Sequence, residues 1–335
     1  MKNIDSSCRF VFFDDNIPFK RTSFRLKYIN GMRRIVNEQT NLIQWMKNNN
    51  VDLFHNPRNT GFPLWGNIPG VVTVHDIIPH VLRKEYIRSW AEKCYYECSL
   101  RMAMSKSRHI ITDSEFSKQE ILKHYNVREE KISVIYIAAK SSFYKIHDES
   151  LLDRYRERFG IRRPFVLTIG GSEYRKNVIS VARSFEKRLS EQYDLIVIGG
   201  AWRHMDIRPE FKNSKAIRFV SSISDEELNA LYNLAEAFVF PSIYEGFGLP
   251  ILEAMQCGTP VITANLTSLP EVAGEAVAYF NPYDLADIEE KMYSVLNSEG
   301  LKQECIERGF RQASLFSWEK CAKETLAIYK KCLGK

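Results

Sequence analysis

Long hydrophobic runs are missing from this chain. No apolar stretch in its 335 residues approaches the roughly 20 that a bilayer-crossing helix needs, so no membrane span is expected. The opening segment, Met1 to Cys8, carries no apolar core of the kind found in secretory leaders, so export is not expected either. The seven cysteines (8, 94, 98, 257, 305, 321, 332) are scattered, odd in number and without a Cys-x-x-Cys pair. That pattern argues against a disulfide framework or a structural zinc, and suits a reducing cytoplasm. No nucleic-acid motif accompanies the basic residues, so a nucleic-acid partner is not expected.

What is present is a globular composition, 44% hydrophobic and 26% charged, in a chain long enough for two domains of ordinary size. Charge is unevenly divided. Residues 1–163 carry 28 Lys and Arg against 18 Asp and Glu, while residues 164–335 carry 19 against 23. A basic first half suits an anionic lipid surface or a phosphorylated acceptor; a solvated basic face is the plain alternative.

The most informative stretch runs from Pro241 to Met255. Ala237-Phe-Val-Phe240, just before it, has the continuous apolar character of a buried parallel strand. Gly246 and Gly248 suit a sharp turn or a close ligand approach, and Pro250 suits the first turn of a helix. Strand, glycine loop and helix together make an anion site from the N–H groups at the helix start. Two carboxylates, Glu245 and Glu253, flank it. They would repel phosphate unless aimed at hydroxyls, so the combination predicts a nucleotide-sugar site, with pyrophosphate on the helix and the two acids toward ribose and sugar. An acidic helix start that complements the macrodipole is the bland alternative, but it requires neither the two glycines nor the buried strand.

Other elements follow in order. Arg9 to Phe13 predicts a strand, Ser23 to about Lys47 a basic amphipathic helix, and Asn50–His55 and Gly70–Val74 two further strands. His75-Asp76 closes the last of these, where open α/β sheets bind ligands. His55 lies at a comparable strand end and is expected to line the same cleft. Glu85 to Ser105 predicts a helix, Arg108–Thr112 a strand, Lys118–Tyr125 a helix and Ile132–Tyr136 another strand. In the second half, Pro164–Ile169 leads to Gly170-Gly171 and then Arg175-Lys176-Asn177, cations placed to clamp a pyrophosphate. Strands are predicted at Asp194–Ile198, Ile217–Val220 and Pro260–Thr263, with a capping box at Ser224, and a terminal helix over Glu319–Leu333.

The pattern P-S-x-x-E-G-F-G-L-P-x-L-E-A-M, from Pro241 to Met255, resembles the acidic signature of family 4 retaining glycosyltransferases. The similarity extends from Thr168 through Arg175-Lys176-Asn177 and Ser268-Leu-Pro-Glu271 to Phe316-Ser-Trp-Glu319, and more thinly over Asp52 to Asp113. It implies an α/β protein of the GT-B class, two facing Rossmann-like domains with parallel sheets. On this basis residues 1–160 form an acceptor-side domain, 161–315 the nucleotide-sugar domain, and 316–335 a helix crossing back to the first. The family's opening βα unit is expected to be absent or shortened, leaving a sheet edge open to a partner protein.

The resemblance also implies roles. His75 contacts the transferred sugar and Lys176 binds the donor diphosphate with Arg175 and the Gly171 turn. Val220 and Ser221 hold the base largely by backbone. Glu245 holds the sugar without becoming a covalent nucleophile, the N–H groups of Phe247, Gly248 and Leu249 face the diphosphate, and Glu253 faces ribose. No D-x-D-type cluster occurs near the donor site, so neither a metal nor a cofactor beyond the donor is expected. The implied reaction moves a sugar, first mannose from GDP-mannose and next a UDP-linked sugar, to a hydroxyl of a cell-surface glycan precursor such as lipopolysaccharide O-antigen. A lipid-linked acceptor at the inner face of the cytoplasmic membrane would meet the basic half of the chain. The competing readings are a truncated nucleotide-sugar-binding subunit that supports a catalytic partner, and a nucleotide-sugar epimerase of the same fold.

Overall fold

A computed structural model describes residues 10, 39–59, 61–63, 65, 67–87, 89–171, 173–199, 206–221 and 223–335. The strand expected at 9–13 and most of the helix expected at 23–47 lie outside these, apart from the helix Asn41–Asn48. The chain divides into two compact units, residues 1–136 with 318–335, and residues 137–317.

The first unit is built on a four-stranded parallel sheet in the order β1-β2-β3-β4, comprising Phe54–Asn56, Gly70–Thr73, His109–Thr112 and Ile132–Val134. β2 and β3 are buried throughout, as in a parallel sheet covered on both faces. Side chains alternate across it. Val72 and Ile110 join a core with Leu100 and Met104 of the helix Trp90–Lys106 and Ile121 of the helix Glu115–His124. Val71 and Ile111 face the other way, against Ile328, Tyr329 and Cys332 of the terminal helix Trp318–Leu333. The helix expected from Lys118 begins at Glu115 because Ser114 caps it, accepting a hydrogen bond from Ser117 N at 3.0 Å.

The second unit holds a six-stranded parallel sheet in the order β10-β9-β8-β5-β6-β7. In chain order the strands are Phe165–Ile169, Asp194–Ile198, Ile217–Val220, Ala237–Phe240, Val261–Ala264 and Ala278–Phe280. From β5 the chain winds outward through β6 and β7, then returns beside β5 as β8 and winds the other way. The reversal between β5 and β8 is a topological switch point, where the departing loops separate and leave a crevice beyond the carboxyl ends of the strands. The predicted capping box is present, with Ser224 and Glu227 exchanging bonds at the start of the helix Asp225–Leu234. β10 and the helices Leu285–Leu296 and Glu299–Ser314 were not among the elements predicted.

The units meet in sequence at Tyr136 and Ile137, earlier than the boundary expected near 161. Residues 140–163 look like a polar connection, yet hydrogen bonds tie them to the helix Asp225–Leu234. Tyr144 N donates to Asn229 Oδ1 at 3.0 Å, Ile146 N to Asn233 Oδ1 at 2.8 Å, and Lys140 Nζ reaches Asp225 Oδ2 at 2.7 Å. Leu152 then packs against Ala230. Asn229 is 3% exposed and also accepts from Cys257 Sγ. Asn229→Ala, which leaves both donors unpaired, should cost about 1–3 kcal/mol in denaturant unfolding.

Candidate active site

The loops that leave β5 and β8 at the switch point carry the predicted cations and the first predicted acid. Gly170 ends β5's run and donates its N–H to Ile198 O at 2.8 Å. A Cβ at this position would sit 2.2 Å from Val178 Cγ2 and 3.1 Å from Lys176 Cβ. The bare Gly170 lets the turn Tyr174–Lys176 fold back onto the strand end. Asn177 takes a left-handed conformation, φ 47°, and the helix Val178–Arg188 follows.

Across the switch point, Glu245 is 9% exposed, and its Oε1 lies 2.6 Å from each of Arg175 Nη1, Lys176 Nζ and Ser242 Oγ. Arg175 also reaches Glu173 Oε2 at 2.8 Å and donates to Tyr244 O at 3.2 Å, and Lys176 Nζ stands 5.1 Å above the Phe240 ring. Burial pushes the Glu245 carboxyl up, but Lys176, Arg175 and the Ser242 hydroxyl outweigh it and hold the group below the usual carboxylate range. Arg175 and Lys176 therefore meet at a buried carboxylate.

The glycine loop is fixed from behind by Thr267 and Ser268, the latter within the Ser268–Glu271 stretch of the resemblance. Ser268 Oγ lies 3.0 Å from Glu245 O and 2.7 Å from Phe247 O, and Thr267 Oγ1 accepts from Glu245 N at 3.3 Å. Thr267 itself has φ 59°. Gly248 has φ 119° and opens the helix Leu249–Gln256, whose N-terminus no side chain caps. A Cβ there would be strained and 3.0 Å from Leu269 Cδ2. Phe247 is buried edge-on against Phe316, with centroids 5.8 Å apart.

Glu253 lies on that helix but in a different environment. Fully buried Tyr232 donates to its Oε2 at 3.3 Å. Burial raises its carboxyl to about 7, with Asp225 raising it further and Lys140 and the Tyr232 bond pulling the other way. Val220 is half-buried at the end of β7, with Ser221 exposed beyond it; the rest of that loop includes residue 222, outside the described residues. The structure thus brings Arg175, Lys176 and Glu245 into direct contact. Glu253 is in the same unit but keeps company with Tyr232, Asp225 and Lys140.

His75 belongs to the first unit, beyond β2. Its Nδ1 lies 2.6 Å from Asp113 Oδ2 and its Nε2 3.1 Å from Pro57 O. Both partners are acceptors, so both ring nitrogens carry hydrogen when both bonds form. The Asp113 hydrogen bond accordingly raises the His75 pKa against the effect of burial. His55, expected in the same cleft, is built into the fold instead. Its Nδ1 meets Tyr329 OH at 2.5 Å and its Nε2 Thr73 Oγ1 at 2.8 Å, and burial lowers it to about 4.

A family profile described as "Glycosyl transferases group 1" matches residues 152–312, and one described as "Glycosyltransferase Family 4" matches residues 12–138. O-antigen chain mannosyltransferase B of Escherichia coli is 33% identical over 271 residues, 78% of this chain and 70% of that protein. The chain belongs to the family 4, group 1 glycosyltransferases. The serotype-specific mannosyltransferase WbdA of Escherichia coli is 31% identical over 75% of this glycosyltransferase, which spans 32% of WbdA's length. Sucrose-phosphate synthase from Thermosynechococcus elongatus superposes with a TM-score of 0.76 at 19% identity, covering 96% of this chain and 82% of that one, which establishes the GT-B fold.

Two outcomes follow for this glycosyltransferase. Gly170→Ala, which forces Val178 and Lys176 off the strand end, should lower stability by about 1–3 kcal/mol in urea unfolding. The raised Glu253 pKa means that the folded state binds more protons than the unfolded one between the ordinary value of 4.5 and about 7. Its contribution to stability therefore declines as pH rises through that window. Melting curves of Glu253→Gln should lack the decline that the native protein shows there.

Proposed function

We propose that this chain is a retaining, metal-independent hexosyltransferase that moves mannose from GDP-mannose, or failing that a UDP-linked sugar, to a hydroxyl of a cell-surface glycan precursor. The observation that carries the reading is the contact of Arg175 and Lys176 with Glu245 at the switch point. Two cations beside the uncapped start of the helix Leu249–Gln256 suit a diphosphate. As the bond from the sugar's anomeric carbon to the phosphate oxygen breaks, they stabilise the negative charge that collects on the departing diphosphate. The acceptor oxygen forms the new bond on the same face, and its proton passes to the departing phosphate. Positive charge on the sugar in the transition state is oxocarbenium-like, as in other glycosyl transfers. Glu245 accepts a sugar hydroxyl, Glu253 accepts from ribose, Val220 and Ser221 meet the base, and His75 presents a second donor to the sugar.

One relative is named an O-antigen chain mannosyltransferase, which supports a lipopolysaccharide O-antigen precursor on a lipid carrier as the acceptor. No helix among the described residues is long and apolar enough to cross a membrane. The proposed location is the cytoplasmic face of the inner membrane, with the basic first half against anionic lipid.

Incubation with a panel of nucleotide sugars and a lipid-linked acceptor should release nucleoside diphosphate only when both are present. Binding without release would mark a supporting subunit instead. Glu253→Ala should abolish nucleotide-sugar protection in thermal-shift measurements, and unchanged protection would refute the donor site. Lys176→Ala should weaken GDP and GDP-mannose alike, by about 10- to 100-fold in calorimetry, because the diphosphate is common to both.

A further inference from the structure

Three polar groups converge on one oxygen of Glu245, Lys176 and Ser242 through hydrogen bonds and Arg175 as an ion pair. Arg175 Nη1, Lys176 Nζ and Ser242 Oγ each lie 2.6 Å from Oε1, whereas among the described residues Oε2 meets no donor. The three differ in what a donor molecule would do to them. A diphosphate carries more negative charge than a carboxylate and competes directly for the guanidinium and the ammonium. Ser242 is neutral and fully buried, so neither phosphate nor water draws it away. Its single hydroxyl hydrogen has two acceptors within reach, Glu245 Oε1 at 2.6 Å and Arg175 O at 3.1 Å. The nearer and charged one is preferred.

The backbone at Glu245 is already held by Thr267 and Ser268. What those residues do not control is rotation of the carboxylate itself. Only the contacts to Oε1 do that, and with the cations engaged by diphosphate only Ser242 remains.

We propose that Ser242 is a positioning residue, anchoring Glu245 through Oε1 while the donor diphosphate occupies Arg175 and Lys176, so that Oε2 stays presented to a hydroxyl of the bound sugar. This rests on the reading of Glu245 as the acceptor for the donor's sugar. It separates two parts of donor recognition. The cations serve the diphosphate, and the Ser242–Glu245 pair serves only the sugar beyond it.

Calorimetric titration of GDP, GDP-mannose, UDP and UDP-glucose into the native protein, Ser242→Ala and Ser242→Cys tests this. The native protein should bind one of the two nucleotide sugars. For that pair, Ser242→Ala should leave the diphosphate within about twofold and weaken the nucleotide sugar about tenfold, the scale of one hydrogen bond to a charged group. Ser242→Cys, which fills the same space with a weak donor, should show the same selectivity should the alanine variant prove unstable. Equal retention of both ligands overturns the proposal, and so does equal loss of both, which would mark Ser242 as loop support. A native protein that binds none of the four overturns the donor reading itself, a result visible before any variant is made.

Discussion

A single buried carboxylate, Glu245, organises the second unit's site. Removing an acid from water is unfavourable unless charge and hydrogen bonds replace the lost solvation. Here Arg175, Lys176 and Ser242 do so at one oxygen. The same contacts hold two cations at the carboxyl ends of β5 and β8, where mutual repulsion would otherwise drive them apart. They resolve the apparent conflict of an acid beside an anion-binding helix start. The carboxylate's charge is directed at the cations.

The two acids of the motif show how environment divides identical chemistry. Glu245 stays ionised because two cations outweigh its burial. Glu253, on the helix after the loop, is half-buried beside a tyrosine and feels another acid, Asp225, so its carboxyl rises to about 7. One is a permanent anion and the other sits near the middle of its titration at neutral pH. The two histidines of the first unit divide likewise. His75 is flanked by two acceptors and favours the charged form, while His55 is buried between two hydroxyls and stays neutral.

Support for the site comes from residues with no reactive role. Ser268 and Thr267 hold the glycine loop by its backbone, and Gly170 and Gly248 make room where a side chain would collide. Asp113 plays the matching part in the first unit, holding the His75 ring from the end of β3.

By itself the sequence determined the class of fold, most of the strands and the strand–glycine loop–helix motif, because those signals are local. Ala237–Phe240 is apolar without interruption, Ser224 and Glu227 stand at capping spacing, and Gly246, Gly248 and Pro250 mark one loop and one helix start. The tertiary structure alone decided which partners each residue meets. Ser242 and Arg175 are 67 residues apart, Glu245 and Ser268 are 23 apart, and His55 and Tyr329 are 274 apart. No period or spacing along a chain encodes such pairings; they arise when parallel strands line up their carboxyl ends. The weakly patterned β10 and the helices after it, and the join at Tyr136 and Ile137, were illegible for the same reason. Residues 140–146 look like a linker until Asn229 and Asn233 supply bonds that only the folded helix presents.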